Sequence, residues 1–152
     1  MGADFAHSAM RVPYRVYPDS FGSHLYSASL GVSLAIAGGH SPRTKRFEAI
    51  IDSGASRCLF HADIGRFLGL NLEAGRRERT QGIGGSEETW IHQLSLFIPG
   101  GPVTIFAAFK ENLPIAGLLG MNGFFEHFNI SFLTRDLTCD LERLEPSDIN
   151  EQ

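Results

Sequence analysis

Asp52 follows the apolar run Ala49-Ile50-Ile51 and opens the turn Asp52-Ser53-Gly54-Ala55-Ser56. The β-branched Ile50 and Ile51 favour a strand. Gly54 permits a sharp departure from that strand, and the hydroxyls of Ser53 and Ser56 supply local hydrogen bonds. The result is a carboxylate fixed at a strand end among donors, where it can give or take a proton at a defined point. None of the other aspartates, Asp4, Asp19, Asp63, Asp136, Asp140 and Asp148, stands in a second such context. On its own the pentapeptide also reads as an ordinary turn.

Two distant segments add weight to the first reading. Gly82-Ile83-Gly84-Gly85 lies between extended polar stretches roughly thirty residues downstream, and Ala116-Gly117-Leu118-Leu119-Gly120 leads into Met121-Asn122-Gly123-Phe124-Phe125. In identity, order and spacing these three segments resemble the retropepsin-like aspartic proteases, the single-domain, retroviral-protease-like cellular type. The resemblance covers about Leu25 to Glu142 and rests on the three-part order. It implies an all-β fold: a closed, partly barrel-like antiparallel sheet with one or two short helices and the active site at a homodimer interface.

The resemblance also implies roles. Asp52 is the expected catalytic residue of an aspartic endopeptidase, activating water directly. Ser53, Gly54, Ala55 and Ser56 support the active-site loop. Gly82, Ile83, Gly84 and Gly85 form a glycine-rich flap over the substrate, and Leu118, Leu119 and Gly120 brace the loop from below. Such chemistry needs two carboxylates that share one proton, a coupled titration for which the aspartic-protease dyad is the general example. With one Asp52 turn per chain, a twofold axis is the economical source of the second. The expected partners are therefore a second copy of the chain and a polypeptide substrate, with no cofactor and no metal. Relatives often carry an acid after the Leu-Leu-Gly-x segment; Asn122-Gly123 stands here, so any helix cap would use the amide.

The elements that must position these residues are legible as short runs. Leu25 to Ile36 and Lys45 to Ile51 read as a hairpin that delivers Asp52. Arg57 to Phe60 reads as a short strand. Ala62 to Leu70 has helical spacing at Ile64, Phe67 and Leu68, with Gly69 as a stop. Trp90 to Ile98 and Val103 to Phe109 alternate about Pro99-Gly100-Gly101-Pro102, and Phe128 to Phe132 pairs with Leu137 to Leu141 near the end. The expected organisation is an N-terminal extension 1–24, a protease domain 25–144 and a tail 145–152. The extension, with Pro13 and Pro18, is compatible with an added strand, a cover over the cleft or disorder.

Composition narrows the classes. With 152 residues and 43% hydrophobic content, one compact domain can bury a core without staples. The formal net charge of −4 and the broken basic cluster Arg76-Arg77-Glu78-Arg79 argue against nucleic acid and for a solvated strand edge. Cys58 and Cys139 are single and far apart, which suits a reducing, cytoplasmic setting. Cys58 and His61 lack the second half of a zinc site, and the remaining histidines show no ligand spacing. The polar start has no apolar signal core, Ala6 breaks a myristoylation pattern, and the longest apolar stretch is too short to span a bilayer. A serine hydrolase lacks its nucleophile elbow. The rival of a different class is a catalytically silent dimer of the same fold that binds peptides or partner proteins along a sheet edge.

Overall fold

The computed structural model describes residues 9–38, 42–82 and 85–145. Its strands are β1 (Ala9–Pro18), β2 (His24–Ile36), β3 (Phe47–Ile51), β4 (Leu59–His61), β5 (Arg76–Gly82), β6 (Gly85–Ile98), β7 (Gly101–Lys110), β8 (Gly117–Leu119), β9 (Phe128–Leu133) and β10 (Thr138–Arg143). A six-residue helix, α1 (Ala62–Phe67), follows β4. The strands run β5-β6-β7-β4-β8-β3-β2-β1-β10-β9, and a further pairing of β6 with β2 closes β2, β3, β8, β4, β7 and β6 into a ring. This is the all-β, partly barrel-like sheet that the sequence implies.

The long β6 shows how the ring is held. Leu94, Leu96 and Ile98 alternate inward, while Gln93 is exposed. The same strand pairs with β7 from Trp90↔Phe109 to Ile98↔Gly101 and with β2 from Ser33↔Phe97 to Ile36↔Leu94. Its inward side chains meet Leu34, Phe60, Ala107, Phe109, Leu119 and Phe124, all fully buried. Deleting one of these large side chains would cost about 3–5 kcal/mol through lost burial and a cavity.

Residues 9–18 form a strand that changes partner midway. Ala9 to Pro13 pairs with β10, and Tyr14 to Pro18 pairs with β2. Pro13 sits at the changeover, where its missing N–H is least disruptive to either ladder. Not every pairing is antiparallel: β3 runs parallel to β8, and β4 parallel to β7. Alternation of apolar residues marks a strand but not its neighbour's direction, so the sequence pointed only to hairpins. At α1 the His61 Nδ1 accepts the Asp63 N–H at 3.0 Å as an N-cap, and Gly69 leaves the helix at φ +86°.

Candidate active site

Strand β3 ends at Ile51 and the chain turns at Asp52. The Asp52 N–H donates to the Leu119 carbonyl at 3.0 Å, its carbonyl accepts the Ala55 N–H at 3.2 Å, and its Oδ1 accepts the Gly54 N–H at 2.9 Å. One carboxylate oxygen is thus held by the turn itself. The side chain of Asp52 is half-buried, whereas Ser53 and Ser56 are exposed.

The turn is backed by the segment after β8. Ile50 and Ile51 pair with Leu118 and Leu119. Beyond Gly120, the Met121 N–H donates to the Ala55 carbonyl at 2.8 Å, and the Asn122 N–H to the Ser56 carbonyl at 3.0 Å. A Cβ on Gly120 would lie 2.5 Å from the Arg57 carbonyl oxygen and 2.7 Å from that of Ala55. Only a residue without a side chain lets the two backbones approach this closely.

The Asn122 amide is not a helix cap. The short 3-10 turn Phe125–His127 starts at Phe124 with no side-chain cap, and Glu126 instead reaches back to accept the Gly123 N–H at 2.9 Å. The carboxylate sits four residues later than the Asn122 position, and Gly123, which donates to it, has a backbone φ of +100°. Cys58 is fully buried beside Gly123, and burial pushes its thiol up to about 11. A thiol so placed stays protonated and is no nucleophile at neutral pH.

Sequence reading missed two side chains at this site. Arg57 donates from Nε to Glu78 Oε1 at 3.1 Å and from Nη2 to Oε2 at 3.0 Å, tying the end of the Asp52 turn to β5. Glu78 belongs to the cluster read as a solvated strand edge, yet it is only half-exposed and points inward. The signal was the charge alternation Arg77-Glu78-Arg79, which sets Glu78 on the face opposite its neighbours. A hollow of about 210 Å³ brings together Asp52, Gly54, Ala55, Ser56, Arg57 and Glu78. A second, of about 370 Å³, meets it at Arg57 and is walled by Arg76, Ile91, Phe106 and Asn122.

The hairpin of β5 and β6 closes with Gly82 opposite Gly85, the latter at φ +113°. Ile83 and Gly84 lie outside the described residues. Among the described residues no group of three or more His, Cys, Asp or Glu side chains could hold a metal ion, and no helix is long and apolar enough to cross a membrane.

The comparisons with known proteins agree with this arrangement. A family model described as aspartyl protease matches residues 32–122, from β2 through the brace at Asn122. The chain belongs to that aspartyl protease family. Among solved structures it is similar to a retropepsin-like aspartic protease from Rickettsia conorii, at 16% identity and a TM-score of 0.58, over 90% of this chain and 93% of that one. The retroviral protease-like domain of Ddi1 from Leishmania major matches at 16% identity and a TM-score of 0.47, over 82% and 98%. The EIAV protease, solved with an inhibitor, matches at 16% identity and a TM-score of 0.48, over 62% and 81%. No curated protein matches the chain.

Proposed function

We propose that the chain is an aspartic endopeptidase whose active site is shared by two copies, each giving Asp52. The observation that carries this reading is the Asp52 carboxylate itself. It is clamped at Oδ1 by the Gly54 N–H at 2.9 Å, and its strand is tied to Leu119, within a chain of the aspartyl protease family.

In this reading a twofold axis sets the two Asp52 side chains together. Two adjacent like charges cannot both ionise, so the pair holds one proton. The ionised member takes a proton from water as that water attacks the peptide carbonyl. The protonated member donates to the carbonyl oxygen, and the proton then passes to the leaving amine. Atoms balance with one water consumed and no covalent intermediate. Ser53 lies at the turn's exposed side, available to the partner's loop, while Ala55, Ser56 and Gly120 hold the turn's shape. The hairpin tip around Gly82, Ile83, Gly84 and Gly85 is the flap that closes over bound polypeptide and excludes water.

Incubating the purified chain with a diverse peptide library beside its Asp52→Asn form tests the reading. Cleavage by the first and none by the second is expected, since the amide neither ionises nor shares a proton. Equal cleavage by both removes Asp52 from the chemistry.

A further inference from the structure

A groove of about 790 Å³, larger than either hollow at Asp52, opens where β2, the segment before β3, and the β6–β7 turn converge. Arg43, Lys45 and Arg46 line it, and all three are exposed. They stand on a segment anchored at its middle. Thr44, between them, is buried and locked to β2 in both directions: its N–H donates to the Leu34 carbonyl at 2.8 Å, and its Oγ1 accepts the Leu34 N–H at 3.0 Å. Arg43 lies over the Phe97 ring at 4.8 Å, and the Arg46 guanidinium occupies the space that a Cβ on Gly31 would need.

Some of the chain's other cations are neutralised by carboxylates. Arg11 pairs with Asp140, Arg57 with Glu78, Arg66 with Asp63 and Glu111, and Lys110 with Glu87. Among the described residues, Arg43, Lys45 and Arg46 make no ion pair, in a chain whose formal net charge is −4. The nearest carboxylate along the strand, Glu48, lines a neighbouring groove with Arg15. A fixed set of unpaired cations in a concavity favours an anionic occupant. Beside them, the walls include the accessible apolar side chains of Met10, Phe97 and Pro102. A polyphosphate or nucleic acid would leave those walls unused, whereas a peptide that mixes carboxylates with apolar side chains contacts both.

We infer that this groove binds an acidic, partly apolar polypeptide segment at a site separate from Asp52. Arg46 directly precedes β3 and Asp52 directly follows it, which sets the two sites about 20 Å apart along one strand. Building on the proteolytic reading, the groove is a second attachment point for substrate, holding an acidic stretch while another part of the same polypeptide reaches Asp52.

The test measures binding without cleavage. On an Asp52→Asn background, a fluorescein-labelled peptide with Glu at alternate positions between Leu and Phe is titrated by anisotropy at low and high salt. The probe should bind, weaken with salt, and lose about tenfold in affinity when Arg43→Gln and Lys45→Gln are combined, the sum of a few exposed ion pairs. Arg43→Lys should retain most of the affinity. No binding, binding indifferent to the double variant, or tighter binding of a DNA duplex than of the peptide would each overturn the inference. So would binding that appears only after removal of residues 146–152, since the acids Asp148 and Glu151 would then be the occupant. Cleavage of the peptide library by the unmodified chain is scored separately, so a failed groove and a failed protease reading give different results.

Discussion

Arg57 and Glu78 meet in a two-point ion pair, Nε to Oε1 at 3.1 Å and Nη2 to Oε2 at 3.0 Å, that joins the residue just after the Asp52 turn to the strand leading into the glycine-rich hairpin. Both side chains are partly exposed, at 25% and 34%. Solvent therefore screens the pair, while its two-point geometry adds to it, and a coupling of about 1 kcal/mol follows. A double-mutant cycle of Arg57→Gln and Glu78→Gln, read by urea unfolding, should show that coupling, and peptide cleavage should fall several-fold in each single variant. Strict additivity in stability with unchanged cleavage would reduce the pair to a surface contact.

That pair marks the boundary of what the sequence could disclose. The Asp52 turn, the Gly82 to Gly85 segment and Leu118-Leu119-Gly120 are local patterns, readable because turn chemistry acts over a few residues. Which strand lies beside which is not local. Arg57 finds Glu78 only once the sheet brings the end of the Asp52 loop beside β5, and Glu126 accepts the Gly123 N–H where the sequence pointed to a cap by Asn122. For the N-terminal extension the sequence left an added strand, a cover over the cleft and disorder open; residues 9–18 form strand β1, which changes partner at Pro13, where a missing N–H is tolerated.

Gly120 offers a steric test that touches no reacting group. Gly120→Ala places a methyl 2.5 Å from the Arg57 carbonyl oxygen and 2.7 Å from that of Ala55. Both are backbone atoms and cannot swing away, so the loop carrying Asp52 must shift. A loss of about 2–3 kcal/mol in unfolding free energy is expected, together with cleavage reduced by at least the factor that Arg57→Gln causes. Wild-type stability and turnover would mean that the close approach is dispensable.

Gly85 tests the hairpin tip. At φ +113° it occupies a backbone region that side chains seldom adopt, and an added Cβ would meet no atom within 4 Å. Gly85→Val therefore acts through backbone strain and lost freedom, at about 1–2 kcal/mol local to an exposed turn. kcat/KM should drop about tenfold if the tip must open and close, with Tm little changed. Unchanged kinetics would make the segment a passive turn.

Cys58 sets a chemical test of burial. With its thiol pushed up to about 11, largely by desolvation, less than about a thousandth is thiolate at neutral pH. Iodoacetamide should leave Cys58 unmodified in the native chain and modify it fully in urea, read by mass spectrometry. Rapid native labelling would mean that the packing around Gly123 opens readily.

The central claim, that one active site needs Asp52 from two copies, is tested most directly by mixing. Unmodified chain and Asp52→Asn chain are unfolded together, refolded at varied ratios and constant total concentration, and assayed on a peptide that the unmodified chain cuts. If only pairs carrying two Asp52 residues act, activity falls as the square of the unmodified fraction. A linear fall would show that each chain acts alone, and would contradict the shared site.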